Sequence, residues 1–345
     1  MKHISGCHIV LFFGLLLLTA GCATTGGNGK ITLNLGYFPD LTHAVALVGV
    51  GSGIFQRALG PQVQLHKASF NAGPAEIEAL LAGSIDLAFV GPTPALNGYI
   101  RSHGSALQVI AGASSGGVLF VVRADANIHS PADLAHKTVA DPQRGGTQDM
   151  ALRHYLQVHH LQSTDQGGNV QVISTSNASI LSLFKEGRLD GAWVPQPWAT
   201  RLVHEARGKV FLDERFLWPG AQFATTIVAV RQAFYRAHSD VVQHFLQAEI
   251  DTIEYIRSHQ TGAEQIVNAQ IKAMTGSLLM SNVLALAFQG FQVTYDPLIS
   301  TISQQVDRLY ASGFLYSKPD LTDFSSLAPL NAALAARGLA TVATS

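Results

Sequence analysis

Short apolar segments alternate with amphipathic ones through most of the first 200 residues, and this alternation constrains the fold more than any other feature. Residues 31–36 (ITLNLG) alternate as a half-buried strand does, residues 44–59 carry helical spacing, and residues 63–69 alternate again. A helix over 74–81, a strand over 85–90 (IDLAFV) and a helix over 94–101 extend the series. Such a series winds a parallel sheet under covering helices. The alternation breaks once, where strands over 107–113 and 118–123 are separated only by Ser114-Ser115-Gly116-Gly117, which reads as a turn and a crossing point. A second α/β unit follows, with helices over 131–136, 148–161 and 178–186 and strands over 138–141, 170–174 and 190–194. The apolar run 223–231 (FATTIVAVR) is placed to return as a strand to the first unit. Helical spacing over 240–258, 263–274, 278–288, 299–315 and 323–337 predicts helices that wrap it.

At 345 residues the chain exceeds the size at which one core usually splits, so two lobes are expected. The expected division is a signal segment over 1–21, a tether over 22–30, lobe 1 over 31–121, lobe 2 over 122–224 and a return to lobe 1 over 225–345. The signal reading rests on Lys2, an apolar run over 9–18 and small residues leading to Cys22. Ten apolar residues fall short of the roughly 20 that span a bilayer. Thr19-Ala20-Gly21-Cys22 resembles the lipobox of bacterial lipoproteins, which implies lipidation at Cys22 and a protein held outside the cytoplasmic membrane. Thr19 stands where that pattern usually has Leu, and ordinary signal cleavage nearby is the alternative. Residues 23–30 (ATTGGNGK) suit a flexible tether.

Cys7 is the only other cysteine, so no disulfide is available after the signal and stability must come from core burial. Charged residues make up 13% of the chain and the formal net charge is -1, which provides no basic field for nucleic acid. No P-loop is present: Gly145-Gly146-Thr147 is followed by Gln148 and Asp149 where a Walker motif needs Lys. The first βα turn, Gly36-Tyr37-Phe38-Pro39, lacks the glycines of a dinucleotide site. His154, His159 and His160 have no partners at metal spacing, and no Gly-x-Ser-x-Gly elbow follows a strand. No catalytic set, metal or cofactor is expected.

Four loops share one design in which a strand ends, small residues follow and a helix begins. They contain Tyr37, Phe38 and Thr42-His43; Asn71 and Gly73; Gly91 and Thr93; and Gly145 through Gln148. Ligands of open α/β sheets lie beyond the carboxyl ends of the strands, and helix N-termini there favour anions. Ordinary helix capping is the competing reading of each loop taken singly. Trp193 and Trp198, which flank Pro195-Gln196-Pro197, could wall a carbon chain or belong to a core.

Gly73-Pro74-Ala75-Glu76, Gly83-Ser84-Ile85-Asp86 with Gly91 and Pro94, Ser130-Pro131-Ala132-Asp133-Leu134, and Asp190-Gly191-Ala192-Trp193 with Pro197-Trp198 span most of the chain. In combination they resemble the ABC-transporter substrate-binding proteins for aliphatic sulfonates, taurine and nitrate. The resemblance implies a two-lobed type II periplasmic-binding-protein fold with two hinge strands, near Phe120-Val121 and Thr225-Thr226, and a ligand cleft between the lobes. It implies a membrane permease and an ATPase as partners of a monomeric binding protein. By position, Tyr37, Phe38, Asn71, Gly73, Thr93, Gly117, Thr147, Gln148, Trp193, Gln196 and Trp198 are expected at the cleft. Neutral Gln196, where many relatives carry an acid, favours a plain alkanesulfonate over taurine; nitrate and bicarbonate are the alternatives. A related fold hosts thiamine-pyrimidine enzymes, whose Cys-rich iron motif this chain lacks, and a lipid-anchored sensor is a third reading.

Overall fold

The computed structural model describes residues 29–311 and 313–344. The signal segment, Cys22 and the tether up to Asn28 lie outside the described residues.

The strands are β1 (Ile31–Tyr37), β2 (Val63–Ser69), β3 (Leu87–Val90), β4 (Leu107–Gly116), β5 (Val118–Arg123), β6 (Thr138–Asp141), β7 (Gln171–Ser174), β8 (Gly191–Pro195), β9 (Gly208–Asp213), β10 (Ala224–Arg231) and β11 (Phe291–Val293). They form two sheets. The first runs β11-β4-β10-β3-β1-β2 and the second β7-β6-β8-β5-β9. In each sheet three parallel strands stand in the order second, first, third. The next strand is antiparallel and joins directly to the other lobe: β10 beside β3, and β5 beside β8. The lobes thus repeat one topology that no sequence repeat announces.

Two aspartates show how this topology is fixed. Asp86, just before β3, accepts from the backbone N–H of Asn34 at 3.0 Å and pairs with Arg231 at 2.6 Å, pinning β1, β3 and β10 together. Asp190, just before β8, accepts from the N–H of Thr138 at 2.9 Å in the same way. Both lie at the amino ends of their strands, the end of each sheet opposite the cleft. The first lobe buries Phe55, Phe89 and Phe245 against one another beneath the long helix Ser239–Ser258. The second centres on Phe120, with Trp193 stacked on it at 5.2 Å.

The structure departs from the sequence reading at several points. Ser114 and Ser115 are no turn: β4 continues through them, paired with β10. The chain changes sheet at Gly116-Gly117, where φ angles of 75° and 79° demand glycine. Phe120-Val121, expected at a hinge, instead lies within the second sheet, paired with β8 and edge strand β9. The return crossing falls between Asp213 and Ala224, just ahead of Thr225-Thr226. Thr225 Oγ1 donates to the Gly116 carbonyl at 2.6 Å, so the two crossings are tied to each other. The helix expected over 44–59 is two, Ala44–Gly51 and Ile54–Leu59, because Gly53 adopts a left-handed conformation between them. Edge strand β9 and the three-residue β11 had too few apolar positions to stand out.

Candidate functional site

The carboxyl ends of the parallel strands of both sheets meet at one cavity of about 450 Å³, open solvent at its mouth included. From the first lobe come Phe38 to His43 after β1, Asn71 to Gly73 after β2, and Gly91 with Pro94 after β3. The second lobe contributes Pro142, Gln143 and Gly146 to Gln148 after β6, Asn177 after β7, and Pro195 at the end of β8. Thr225 and Thr226 of the return strand form the floor.

Three helices begin at this cavity: Gly73–Leu81, Pro92–Arg101 and Thr147–Val158. Their N-cap residues are Ala72, Gly91 and Gly146, and none makes a side-chain capping bond. The capping reading therefore fails for these three, and the positive ends of three helix dipoles face one space. A fourth helix, Asn177–Lys185, is capped by Ser176. Thr147 Oγ1, Asn177 Oδ1 and Thr226 Oγ1 are buried on the lining residues without a hydrogen-bond partner. Buried polar atoms are nearly always paired, so these three are available to an occupant: the two hydroxyls can donate, whereas Asn177 Oδ1 can only accept. The loop before Thr147 is held in place from its own helix, for Asp149 accepts from the Gly145 N–H at 2.7 Å and binds Arg153 at 2.5 Å.

Among the described residues, no lysine or arginine lines the cavity. His43 is fully buried, takes the Phe38 N–H on Nδ1 at 3.3 Å, and burial pushes its pKa down to about 3, so it is neutral. Asp40 directs Oδ1 to the N–H and hydroxyl of Thr42, at 3.0 and 2.7 Å. Burial outweighs these bonds and raises its pKa to about 7. Beneath it Glu76, fully buried with both carboxyl oxygens unpaired, is held protonated by burial and by the Asp40 charge. The cavity thus offers an occupant helix ends and hydroxyls and, among the described residues, no formal positive charge.

Raised carboxyl groups recur outside the cavity: burial lifts Asp141 to about 8 and Glu214 to about 7, and holds Glu249 well above the usual carboxylate range. An acid whose pKa rises on folding binds its proton more tightly in the folded state. Its contribution is full near the unfolded value of about 4 and is lost as pH rises through the folded value. The melting temperature is accordingly expected to be several degrees higher at pH 5.5 than at pH 8.5, read by calorimetry in matched ionic strength.

Of the residues expected at the cleft, the structure brings together Phe38, Asn71, Gly73, Thr147 and Gln148. Thr93 lines a neighbouring cavity, which shares Thr147 with the first. Tyr37 is buried in the first-lobe core, and Gly117 is enclosed at the crossing against Phe291 and Thr42. Trp193 is fully buried and donates its indole N–H to Glu214 at 2.7 Å, which settles it in the second-lobe core. Gln196 accepts from the N–H and hydroxyl of Thr200 through Oε1, at 3.1 and 2.8 Å, and is buried away from the cavity. Its side chain is thus committed to the start of a helix and gives no ground for choosing between ligands. Trp198 lies on that helix under the guanidinium of Arg201. Sequence reasoning overlooked Asp40 and Asn177, and placed Thr225 and Thr226 at a hinge but not at the cavity. Asp40 stands between two residues of a loop already singled out, whereas Asn177 and the threonines look like any helix start and any strand.

Two α/β lobes joined by paired crossing strands, with helix N-termini converging on the cleft between them, define a periplasmic-binding-protein fold. The chain belongs to the NMT1-like family, whose model matches residues 26–271. The taurine-binding periplasmic protein of Escherichia coli (strain K12) is 26% identical over 207 residues, which cover 60% of this chain and 61% of that protein. Among solved structures, the alkanesulfonate-binding protein SsuA from Xanthomonas axonopodis pv. citri, bound to MOPS, superposes with a TM-score of 0.71 at 19% identity, covering 87% of this chain and 99% of its own. A mutant of DszB with one cysteine replaced by serine, in complex with biphenyl-2-sulfinic acid, superposes with a TM-score of 0.65 at 16% identity, covering 89% and 99%.

Proposed function

We propose that this chain is the extracytoplasmic solute-binding component of an ABC importer, closing on a small organic anion, an aliphatic sulfonate, and delivering it to a permease driven by an ATPase. The observation that carries the reading is the set of three uncapped helix N-termini around one inter-lobe cavity, with the hydroxyls Thr147 Oγ1 and Thr226 Oγ1 left unpaired there. Hydroxyls and backbone N–H groups replace water around an anion, and contacts from both lobes favour the closed state over the open one. The taurine-binding and alkanesulfonate-binding functions of these relatives support the same reading. No cysteine occurs among the described residues, so the thiol replaced in the DszB mutant has no counterpart there.

Isothermal titration with methanesulfonate, taurine, nitrate and bicarbonate tests the proposal. Methanesulfonate is expected to bind, and Thr147→Ala to weaken it about tenfold or more, since a hydrogen bond to a charged group is worth about 1.5–3 kcal/mol. Trp198→Ala, outside the cavity, is expected to leave the affinity as it is. No heat with any of the four anions would refute the reading, and turnover of a bound ligand with time would replace it with an enzymatic one.

A further inference from the structure

Behind the anion cavity, in the second lobe, Asp141, Arg144, Asp149, Arg153 and Asp165 form one charged cluster. It surrounds the turn that joins β6 to the helix Thr147–Val158 and brings Gln143, Gly146, Thr147 and Gln148 to the cavity wall. The turn closes with the Gly146 N–H donating to the Gln143 carbonyl at 2.9 Å. Its remaining hold comes from the helix behind it. Asp149 Oδ2 accepts the Gly145 N–H, and Asp149 Oδ1 accepts from Arg153 Nε, so each oxygen of this fully buried carboxylate is engaged.

Arg153, its side chain 3% exposed, is fixed from further away. Its Nη1 donates to Ser163 Oγ at 2.7 Å and to both oxygens of Asp165, at 2.9 and 3.1 Å. Asp165 also takes the guanidinium of Arg144, from the turn itself, at 2.7 Å. Ser163 and Asp165 lie on the segment between the helix and β7, and neither lines the anion cavity. One remote aspartate thus grips the turn twice, directly at Arg144 and through Arg153 and Asp149 at Gly145. Asp141, at the end of β6, accepts from Ser174 Oγ at 3.0 Å on one oxygen, and its other oxygen is unpaired. Burial and the neighbouring charge of Asp149 keep Asp141 protonated at neutral pH. Two guanidiniums then face two carboxylates, and the cluster puts no net charge beneath an anion. A buried ion pair is a weak source of stability, because apolar residues of similar volume often serve as well. What Asp149 and Arg153 supply that apolar residues cannot is a fixed acceptor for the Gly145 N–H without an uncompensated charge.

Resting on the anion-binding reading above, we infer that Arg153 is a positioning residue of the anion site, holding Asp149 and through it the turn that presents Gly146 and Thr147 to the ligand, and that Asp165 controls the site from outside it. Arg153 itself lines no part of the cavity. Its loss leaves Asp149 as a buried, unbalanced negative charge two residues beyond Thr147, which loosens the turn and repels an anion.

Isothermal titration with methanesulfonate, taurine, nitrate and bicarbonate, paired with calorimetric melting, tests this in Arg153→Met, in the double variant Asp149→Asn/Arg153→Met and in Asp165→Asn. For whichever anion the native protein binds, Arg153→Met is expected to weaken binding about tenfold or more, the factor that one charge-assisted hydrogen bond carries. The double variant keeps an oxygen for the Gly145 N–H and leaves no buried charge. It is expected to return to within about threefold of native affinity, the non-additivity of residues in one network. General loosening of the lobe would instead make the double variant the weaker of the two. Asp165→Asn, at a side chain one-third exposed, is expected to weaken binding several-fold and serves where Arg153→Met does not fold. Native affinity in Arg153→Met or in Asp165→Asn, or a double variant no better than the single one, would overturn the inference and leave the anion site standing. No heat with any of the four anions in the native protein would overturn both.

Discussion

Gly91→Val is expected to weaken anion binding by about ten- to a hundredfold while the protein without ligand melts close to the native temperature. Gly91 belongs to the first lobe and Thr147 to the second, and a Cβ on Gly91 would overlap Thr147 Oγ1. The collision exists only when the lobes meet, so it leaves each core alone and penalises closure. Overpacking of this kind costs roughly 1–3 kcal/mol, and each 1.4 kcal/mol is a factor of ten in affinity. Calorimetric titration together with the ligand-induced shift in melting temperature separates the two effects. Native affinity in Gly91→Val would mean that the bound state does not need these two loops in contact.

Asp40 is the basis of the second large effect. Its carboxyl lines the anion cavity with a pKa raised to about 7 by burial, and the groups facing it are protonated Glu76 and neutral His43. With Oδ1 accepting from Thr42, a protonated Asp40 would have Oδ2 left to present its proton to a ligand. A bound anion favours the protonated form, so affinity for a plain sulfonate should be greatest below pH 7 and fall by up to tenfold per pH unit above it. Asp40→Asn should flatten the profile and hold the affinity at high pH. For an amine-bearing sulfonate the sign reverses, since an ionised Asp40 attracts an ammonium. The preference between the two ligands is thus expected to change with the charge on Asp40, and titrations of methanesulfonate and taurine between pH 5.5 and 8.5 should diverge.

The general architecture was legible in the sequence because it rests on periodicity. β1, β2, β3, β6, β7 and β8 each carry a clear apolar signal, and the helix-initiating loops after them announced the cleft. The break at Ser114 to Gly117 announced the first crossing, which falls on its two glycines, whereas the hinge implied by the resemblance near Phe120-Val121 lies within β5. Trp193 was drawn to the cleft by its size, yet its indole N–H had a buried acid, Glu214, to satisfy 21 residues on, a pairing that no local pattern reveals. Gln196 was misjudged for a similar reason, its partner Thr200 lying one helical turn ahead. The motif aspartates Asp86 and Asp190 carried the family resemblance and turned out to pin strands far from the ligand end. Function, by contrast, gathers at residues such as Thr226 and Asn177, whose chemistry is visible only once their unpaired atoms share a space.

A crystal structure of the protein grown with an alkanesulfonate is the decisive test of an anion held between the lobes on three helix N-termini. Sulfonate oxygens are expected within hydrogen-bonding distance of Thr147 Oγ1, Thr226 Oγ1 and the backbone N–H groups that open the helix Thr147–Val158, with the Asp40 carboxyl beside them. A sulfonate bound outside this cavity, or one held there by a lysine or arginine brought in from elsewhere, would contradict it.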